Sequence, residues 1–290
     1  MQKLLIFQSL WAMERRHTDG FERSLEDNLH RIAEAGFDGI NADWQDRPQT
    51  LRLAGLLKSH GLQAEAVCFP RTVDDLKPAL ELAAETGVHH LNIHPMARLR
   101  SLDGCVAILE GWQRLAEQVD FPVYVETHRD RMTTDLFFVL DILDQLPDLK
   151  LVGDLSHFLV GREFAWPISD ENHAYIHRVL ENCWALHGRV ASREQVQIEI
   201  AFPHHRQWLE LFLAWWERGF RSWQRRAAAD ATLAFVCELG PRPYAITGPD
   251  GNEMSDRWSE ALMLRDLVRK TWDRTLPSGS AASNRTNVDA

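Results

Sequence analysis

Short runs of consecutive apolar residues alternate along the chain with longer segments in which apolar and polar residues recur at helical spacing. Short apolar runs bounded by turn signals are typical of buried parallel strands, and a recurrence every three to four residues is typical of amphipathic helices. The pattern predicts eight strands, at residues 3–11, 37–44, 62–69, 88–94, 122–128, 149–154, 184–190 and 232–239.

A helix is predicted after each strand. Their ends carry ordinary helix signals: Asp27 lies in the first turn of the first helix, and Gly36 stands where that helix stops. Thr133 and Thr134 are N-cap candidates for the fifth helix, and Ser255 is the predicted N-cap of the eighth. The helices are predicted at about residues 24–36, 48–61, 73–87, 102–119, 133–146, 170–183, 205–228 and 255–272.

Eight strand–helix units predict an α/β protein with a parallel sheet. A closed (β/α)8 TIM barrel typically needs ~250 residues, so we expect a single domain of this kind over residues 1–275. An open doubly wound sheet is the structural alternative, but the turn after the first strand reads SLWAMERRHTDG and lacks GxGxxG. The Ser-, Ala- and Asn-rich stretch 276–290 is predicted to be a disordered tail.

The composition argues against nucleic acid as a partner and against a membrane-spanning or secreted protein. The 290-residue chain has 32 Lys and Arg against 42 Asp and Glu, a formal net charge of −10, which argues against nucleic acid. No uncharged apolar stretch reaches the ~20 residues of a membrane span, and the apolar run 4–7 is too short for a secretory signal. The four cysteines form no CxxC pair, so we expect a cytoplasmic protein without a disulfide framework.

Polar side chains stand at the ends of the last four predicted strands, where the active site of such a barrel lies. They are Glu126 and His128, then Asp154 and His157, then His187 and Arg189, and finally Glu238. Taken singly, each is also explained as a rim residue, a helix cap or a core histidine. Four in register favour a metal site, because three buried carboxylates would repel one another without a cation. Three carboxylates and one imidazole suit Mn²⁺ best, with Mg²⁺, Co²⁺ and Zn²⁺ as alternatives.

Other side chains are weaker candidates. His94 ends the fourth predicted strand and would either face the site or bond a neighbouring loop. Trp11 ends the first strand, where its ring would either stack on a sugar or pack in the core. His89 and His90 are adjacent, so we expect at most one of them to face the barrel interior.

The segments VETHRDRMTTD, GDLSHF, ALHGRV, QVQ, CELGPRPY and DRW resemble the sugar phosphate isomerase/epimerase family, the xylose isomerase-like barrels. The resemblance covers roughly residues 1–275. It implies one divalent metal, often Mn²⁺, held by the residues Glu126, Asp154, His187 and Glu238. It also implies that substrate is bound by His157, Arg189 and Gln197.

The resemblance implies a sugar or keto-sugar isomerase or epimerase acting on a small-molecule carbohydrate through an enediolate. Glu126 and Glu238 would then be the acid and base, and His128 would position the substrate or a loop. The chain lacks a Gly-rich anion loop, which favours an unphosphorylated sugar. Two alternatives remain: a metal-dependent lyase, dehydratase or hydrolase, such as one that cleaves keto-glycosides, and a barrel that only binds. A homo-oligomer is compatible with either.

Overall fold

The computed structural model describes residues 1–15 and 22–277. Eight parallel strands hydrogen-bond in chain order and close into a barrel, because β1 also pairs with β8. The predicted TIM barrel is therefore confirmed. The strands are β1 Lys3–Ser9, β2 Gly39–Asp43, β3 Gln63–Cys68, β4 His90–Ile93, β5 Val123–Glu126, β6 Leu151–Asp154, β7 Cys183–Gly188 and β8 Thr232–Cys237.

Helices follow the strands as predicted, with one addition after β6. They are α1 Leu25–Glu34, α2 Arg47–His60, α3 Lys77–Thr86, α4 Leu102–Ala116, α5 Leu136–Gln145, α6 Ser156–Gly161, α7 Asp170–Leu180, α8 Arg206–Arg226 and α9 Arg257–Asp273.

Two predicted helix caps are wrong by one or two residues. Asp135 caps α5 by accepting from the backbone N–H of Phe138, in place of Thr133 or Thr134. The hydroxyl of Thr133 instead donates to the backbone carbonyl of Glu126, at the end of β5. Asp256, rather than Ser255, caps α9. In both cases the carboxylate directly precedes the first helical turn, where a negative charge also complements the helix dipole.

Seven of the eight strands end one or two residues earlier than predicted, and β6 ends at Asp154 as predicted. Trp11 lies in a 3-10 turn, Trp11–Met13, and His94 and His128 lie in the loops after β4 and β5. These residues leave the sheet because each strand ends where the chain turns over the barrel rim toward the next helix. The consequence is that Trp11, His94 and His128 stand on loops at the rim, whereas Glu126, Asp154 and His187 lie within β5, β6 and β7.

The main core lies between the sheet and the helices. Four tryptophans of α8 are buried there and pack the helix against the sheet: Trp208, Trp215, Trp216 and Trp223. A second, smaller apolar cluster fills the barrel interior and is formed by Leu5, Phe7, Tyr124, Val152, Ala185, Ala234 and Val236. Cys68, Cys105, Cys183 and Cys237 are free and buried.

Among the described residues, no helix is both long and apolar enough to cross a membrane. Leu276 packs against the core at the end of the described chain. The predicted disordered tail otherwise falls on residues 278–290, which lie outside the described residues, and it stays a prediction.

Candidate functional site

Alternate residues of each strand point into the barrel, so the inward set recurs with a period of two. On β8 this set is Ala234, Val236 and then Glu238 just past the strand, and on β7 it includes Ala185 and His187. The first members of each set belong to the apolar interior cluster, and the last members are polar. This order places the polar groups of neighbouring strands together at the C-terminal mouth of the barrel.

Three of the four predicted metal ligands meet there. Single ligand atoms of Glu126, His187 and Glu238 all lie within 4.8 Å of one another, and all three residues are buried. Nδ1 of His187 lies 2.8 Å from Oε2 of Glu238 and 3.8 Å from Oε2 of Glu126. Oε1 of Glu126 has no hydrogen-bond partner within the described part of the chain. These groups form an oxygen and nitrogen donor set of the kind that divalent cations bind.

The fourth predicted ligand, Asp154, is fully buried but faces other partners. Its Oδ1 accepts from the backbone N–H and the hydroxyl of Ser156, at 2.9 and 2.6 Å. Its Oδ2 accepts from Nε of Arg189 at 3.2 Å and lies 3.3 Å from Nε2 of His157. Asp154 therefore reaches the other three residues through Arg189 in this arrangement.

Arg189 is the buried centre of that side of the site. Its Nη2 lies 2.7 Å from Oε1 of Glu238, and its Nη1 donates to Oε1 of Gln197 at 3.3 Å. Gln197 also exchanges two hydrogen bonds with the backbone of Gly240. The amide of Gln197, predicted to bind substrate, is thus engaged in holding Arg189 and the loop after β8.

Sequence reasoning missed Glu65, which lies in the middle of β3 with no solvent exposure. Its Oε1 accepts from Nε2 of His187 at 2.7 Å and from Nδ2 of Asn41 at 2.7 Å. Asn92 on β4 donates both to Glu65, at 3.2 Å, and to Glu126, at 2.6 Å. The signal in the sequence is an ionisable residue flanked by two alanines inside an apolar strand.

The expectation that only one of His89 and His90 faces the interior is wrong. Nδ1 of His89 lies 2.8 Å from Nδ1 of His90, and Nε2 of His89 lies 2.7 Å from the hydroxyl of Thr232 on β8. His90 in turn lies 2.8 Å from Oε2 of Glu65. Strict alternation fails because His89 precedes β4 and is free of its pleat.

A second candidate metal group shares Glu126 with the first. Ligand atoms of His94, Glu126 and His128 also lie within 4.8 Å of one another. Nε2 of His94 lies 2.5 Å from Oε2 of Glu126, and Nδ1 of His128 lies 2.6 Å from the carbonyl of Arg129. The ring of His157 lies 4.1 Å from that of His128, so three imidazoles line this side of the mouth.

A cavity of about 620 Å³ opens above these groups. Glu238, Arg189, His94 and His128 line it together with Trp11. Trp11 packs edge-on against Tyr244, which also lines the cavity, and the Arg189 guanidinium lies 5.0 Å from the Tyr244 ring centre. The cavity therefore combines an aromatic wall with a charged floor, a combination common in small-molecule sites.

The electrostatics of the mouth favour a cation. Although burial opposes ionisation, Arg189 and His187 hold the pKa of Glu238 well below its usual range. Burial likewise opposes ionisation of Glu126, but His94 and His187 lower its pKa. At Asp154 the effect of burial is larger than that of the Arg189 charge, so the pKa of Asp154 is raised to about 6.

The pKa of His187 is raised rather than lowered. Burial disfavours its charged form, but the carboxylates of Glu65, Glu126 and Glu238 raise its pKa well above the usual value. Burial lowers the pKa of His128 to about 4 and that of His157 well below its usual range, so both rings are neutral at pH 7. Four buried carboxylates, those of Glu65, Glu126, Asp154 and Glu238, thus lie around Arg189 and His187, and this oxygen-rich set of residues fits a divalent cation.

Known proteins share this architecture. The sequence profile of the xylose isomerase-like TIM barrels matches residues 29–193. No curated relative matches the chain significantly.

Solved structures of the same fold cover almost the whole chain. A xylose isomerase-like TIM barrel protein from Mycobacterium smegmatis, in complex with magnesium, has a TM-score of 0.62 at 13% identity and covers 94% of this chain and 98% of its own. A sugar phosphate isomerase/epimerase from Parabacteroides distasonis has a TM-score of 0.60 at 10% identity, with 95% and 96% covered. The probable 3-DHS dehydratase AsbF from Bacillus anthracis has a TM-score of 0.54 at 12% identity, with 93% and 99% covered. With the profile match spanning more than half of its residues, the chain belongs to the xylose isomerase-like TIM barrel family.

Proposed function

We propose that this protein is a divalent-metal-dependent isomerase or epimerase of a sugar or keto-sugar. The observation that carries the proposal is the buried group of Glu126, His187 and Glu238 beneath a 620 Å³ cavity with an aromatic wall. Membership of the family supports an enzyme of this broad class, and one structural neighbour is described as a sugar phosphate isomerase/epimerase.

Glu126, His187 and Glu238 would hold the cation, with Asp154 as the fourth ligand. We expect Mn²⁺, with Mg²⁺, Co²⁺ and Zn²⁺ as alternatives, because the donor set mixes carboxylate oxygens with one imidazole nitrogen. A cation bound there supplies positive charge that stabilises negative charge developing on a sugar oxygen.

Glu238 is the group best placed to move a proton at the sugar carbon next to the carbonyl. It lines the cavity, and it is ionised at neutral pH, as a group that accepts a proton must be. Glu126 stands on β5, three strands from β8 around the barrel, and we propose that it returns the proton from the opposite face of the substrate. Arg189 would hold a substrate oxygen and add positive charge near the enediolate, and His157 would hold another.

The walls of the cavity would orient the sugar. The Trp11 ring would cover its apolar face, and His94 and His128 would bond its hydroxyls from the side opposite Arg189. Gln197 would act through Arg189 and the Gly240 backbone, which it already holds.

The experiment is a screen of ketoses and keto-glycosides with the Mn²⁺-loaded protein, followed by Glu238→Gln. The variant keeps the shape and one metal-binding oxygen but loses the base. Turnover of the best substrate should fall roughly 10²–10⁴-fold, the range for a lost general base, while bound metal is retained. Full turnover by Glu238→Gln would refute the role of this residue. Glu126→Gln should lose turnover similarly if the reaction uses two faces.

A hydrolase or lyase is the second candidate, and one observation favours it. The group of His94, Glu126 and His128 could hold a second cation next to the first. Two cations 3.5–4 Å apart are typical of enzymes that displace a group in line. Metal counting separates the two proposals: we expect one ion per chain for the isomerase, and two for the hydrolytic alternative.

A further inference from the structure

We propose that Glu65 is a positioning residue that fixes the orientation of the His187 ring, so that Nδ1 is the nitrogen turned toward Glu126 and Glu238. The inference rests on the proposed function in one respect, that His187 is a metal ligand. It assigns a role to a residue outside the four predicted ligands.

The first observation is the place of Glu65 in the barrel. It projects from β3 to meet His187 on β7, four strands away around the closed sheet, so its carboxylate lies across the barrel interior. Its side chain has no solvent exposure. A buried carboxylate in such a place is costly unless it has polar partners. Here Oε1 accepts three hydrogen bonds, and Oε2 lies 2.8 Å from Nε2 of His90.

The second observation is the direction of the bonds. A carboxylate only accepts, so the 2.7 Å contact between Nε2 of His187 and Oε1 of Glu65 requires a proton on Nε2. Nδ1 likewise donates to Oε2 of Glu238 at 2.8 Å, so both ring nitrogens carry protons in the metal-free protein. The Nδ1 proton is the one that a cation bound between His187 and Glu238 would replace, while Glu65 keeps the proton on Nε2. Carboxylates that orient a metal-binding histidine in this way are a general feature of metal sites.

The third observation is that Glu65 is itself held in place. Asn41 donates to Oε1, and Nε2 of His90 lies 2.8 Å from Oε2. His90 contacts His89, which reaches the hydroxyl of Thr232 at the start of β8. Hydrogen bonds thus link the Thr232 hydroxyl to His89 and His89 to His90, and Nε2 of His90 then contacts the Glu65 carboxylate without the geometry of a hydrogen bond.

This series of contacts crosses the barrel interior, from Thr232 at the N-terminal end of the barrel to Glu65 at the candidate site. Burial lowers the pKa of His89 to about 3, so its ring is neutral and can accept at one nitrogen while donating at the other. Strict alternation along a strand would place His89 and His90 on opposite faces of the sheet. Here the two rings contact each other, and His90 contacts Glu65 from the N-terminal side of the barrel. The arrangement explains why two histidines and a glutamate are buried beside the apolar cluster of the barrel interior.

The test is Mn²⁺ binding by calorimetry to Glu65→Gln, together with ¹⁵N-edited NMR of histidine-labelled, metal-free protein. We expect the dissociation constant for Mn²⁺ to rise 10–100-fold, the range for lost outer-shell carboxylates. We also expect the Nε2 proton of His187, hydrogen-bonded to a carboxylate in the wild type, to resonate further upfield when its acceptor is a neutral amide.

Glu199→Gln is the matched control, because Glu199 is also buried but accepts from the backbone of Ile246, outside the site. Its dissociation constant for Mn²⁺ should stay within twofold of the wild type. If Glu65→Gln does not fold, Asn41→Ala removes one donor from Glu65 and should weaken Mn²⁺ binding several-fold. Unchanged binding by the folded Glu65 or Asn41 variant, with an unmoved His187 signal, would overturn the inference.

The two proposals fail differently. A wild-type protein that binds no Mn²⁺ would contradict the proposed function. The His187 signal of the metal-free protein would still decide whether Glu65 accepts from Nε2, because that readout does not involve the cation.

Discussion

The guanidinium of Arg189 offers a sharp test of how the site is held together. The side chain is 1% exposed and lies between two buried carboxylates, 3.2 Å from Oδ2 of Asp154 and 2.7 Å from Oε1 of Glu238. Arg189→Met keeps much of the volume but removes the charge. The two carboxylates are then left buried without their shared partner.

Breaking a buried ion pair from one side costs about 3–5 kcal/mol, because the remaining charge stays desolvated. We therefore expect the free energy of unfolding of the metal-free variant to fall by about that amount. Asp154→Asn removes one of the two carboxylates, so the double variant should lose less than the sum of the single losses. The coupling between Arg189 and Asp154 should be about 0.5–3 kcal/mol, the range for residues in one network.

The assay is urea denaturation of the wild type, both single variants and the double variant, with a chelator present. Arg206→Met is the control, because Arg206 pairs with Glu210 at an exposed site and should change stability little. Losses that add within about 0.5 kcal/mol would refute the coupled network. Arg189→Met should also keep its bound metal while its KM rises or its kcat falls, and loss of metal would instead make Arg189 structural.

Two further predictions concern stability. Gly153→Ala would bring a Cβ within 2.6 Å of Sγ of Cys183, so the free energy of unfolding in urea should fall by about 1–3 kcal/mol. Gly55→Ala is the control, because Gly55 lies on α2 with open space around it; its free energy of unfolding should rise by about 0.5–1 kcal/mol. Equal effects of the two alanines would contradict this packing. Burial raises the pKa of Glu260 from 4.5 to about 7. Between these pH values the folded state holds a proton that the unfolded state releases, so the free energy of unfolding should fall by about 3 kcal/mol as the pH rises from 4.5 to 7. Glu260→Gln should remove that part of the pH dependence, and an unchanged stability profile would show that burial does not shift this group.

The barrel could be predicted from the sequence because each strand and helix carries its own local signal. Apolar runs separated by amphipathic segments predict every strand of the sheet, and only the strand ends were overextended. The short helix α6, Ser156–Gly161, was missed because six residues directly after a strand are too few to show helical periodicity.

The site could be predicted only as far as the strand ends. Glu126, His187 and Glu238 converge because neighbouring parallel strands place their C-terminal ends side by side. The partners of Asp154 could not be predicted, because whether a carboxylate meets a cation or an arginine depends on side-chain rotamers. Glu65 was missed because its contact with His187 spans the barrel and leaves no trace in sequence spacing.

Solvent deuterium uptake at the carbon next to the carbonyl tests the proposed reaction most directly. The Mn²⁺-loaded protein would be incubated in D₂O with each candidate keto-sugar, and the recovered sugar would be analysed by mass spectrometry. We predict that the wild type incorporates deuterium and that Glu238→Gln incorporates it roughly 10²–10⁴-fold more slowly. A sugar that is converted by the wild type without any deuterium uptake, or with equal uptake in Glu238→Gln, would contradict proton transfer by this glutamate.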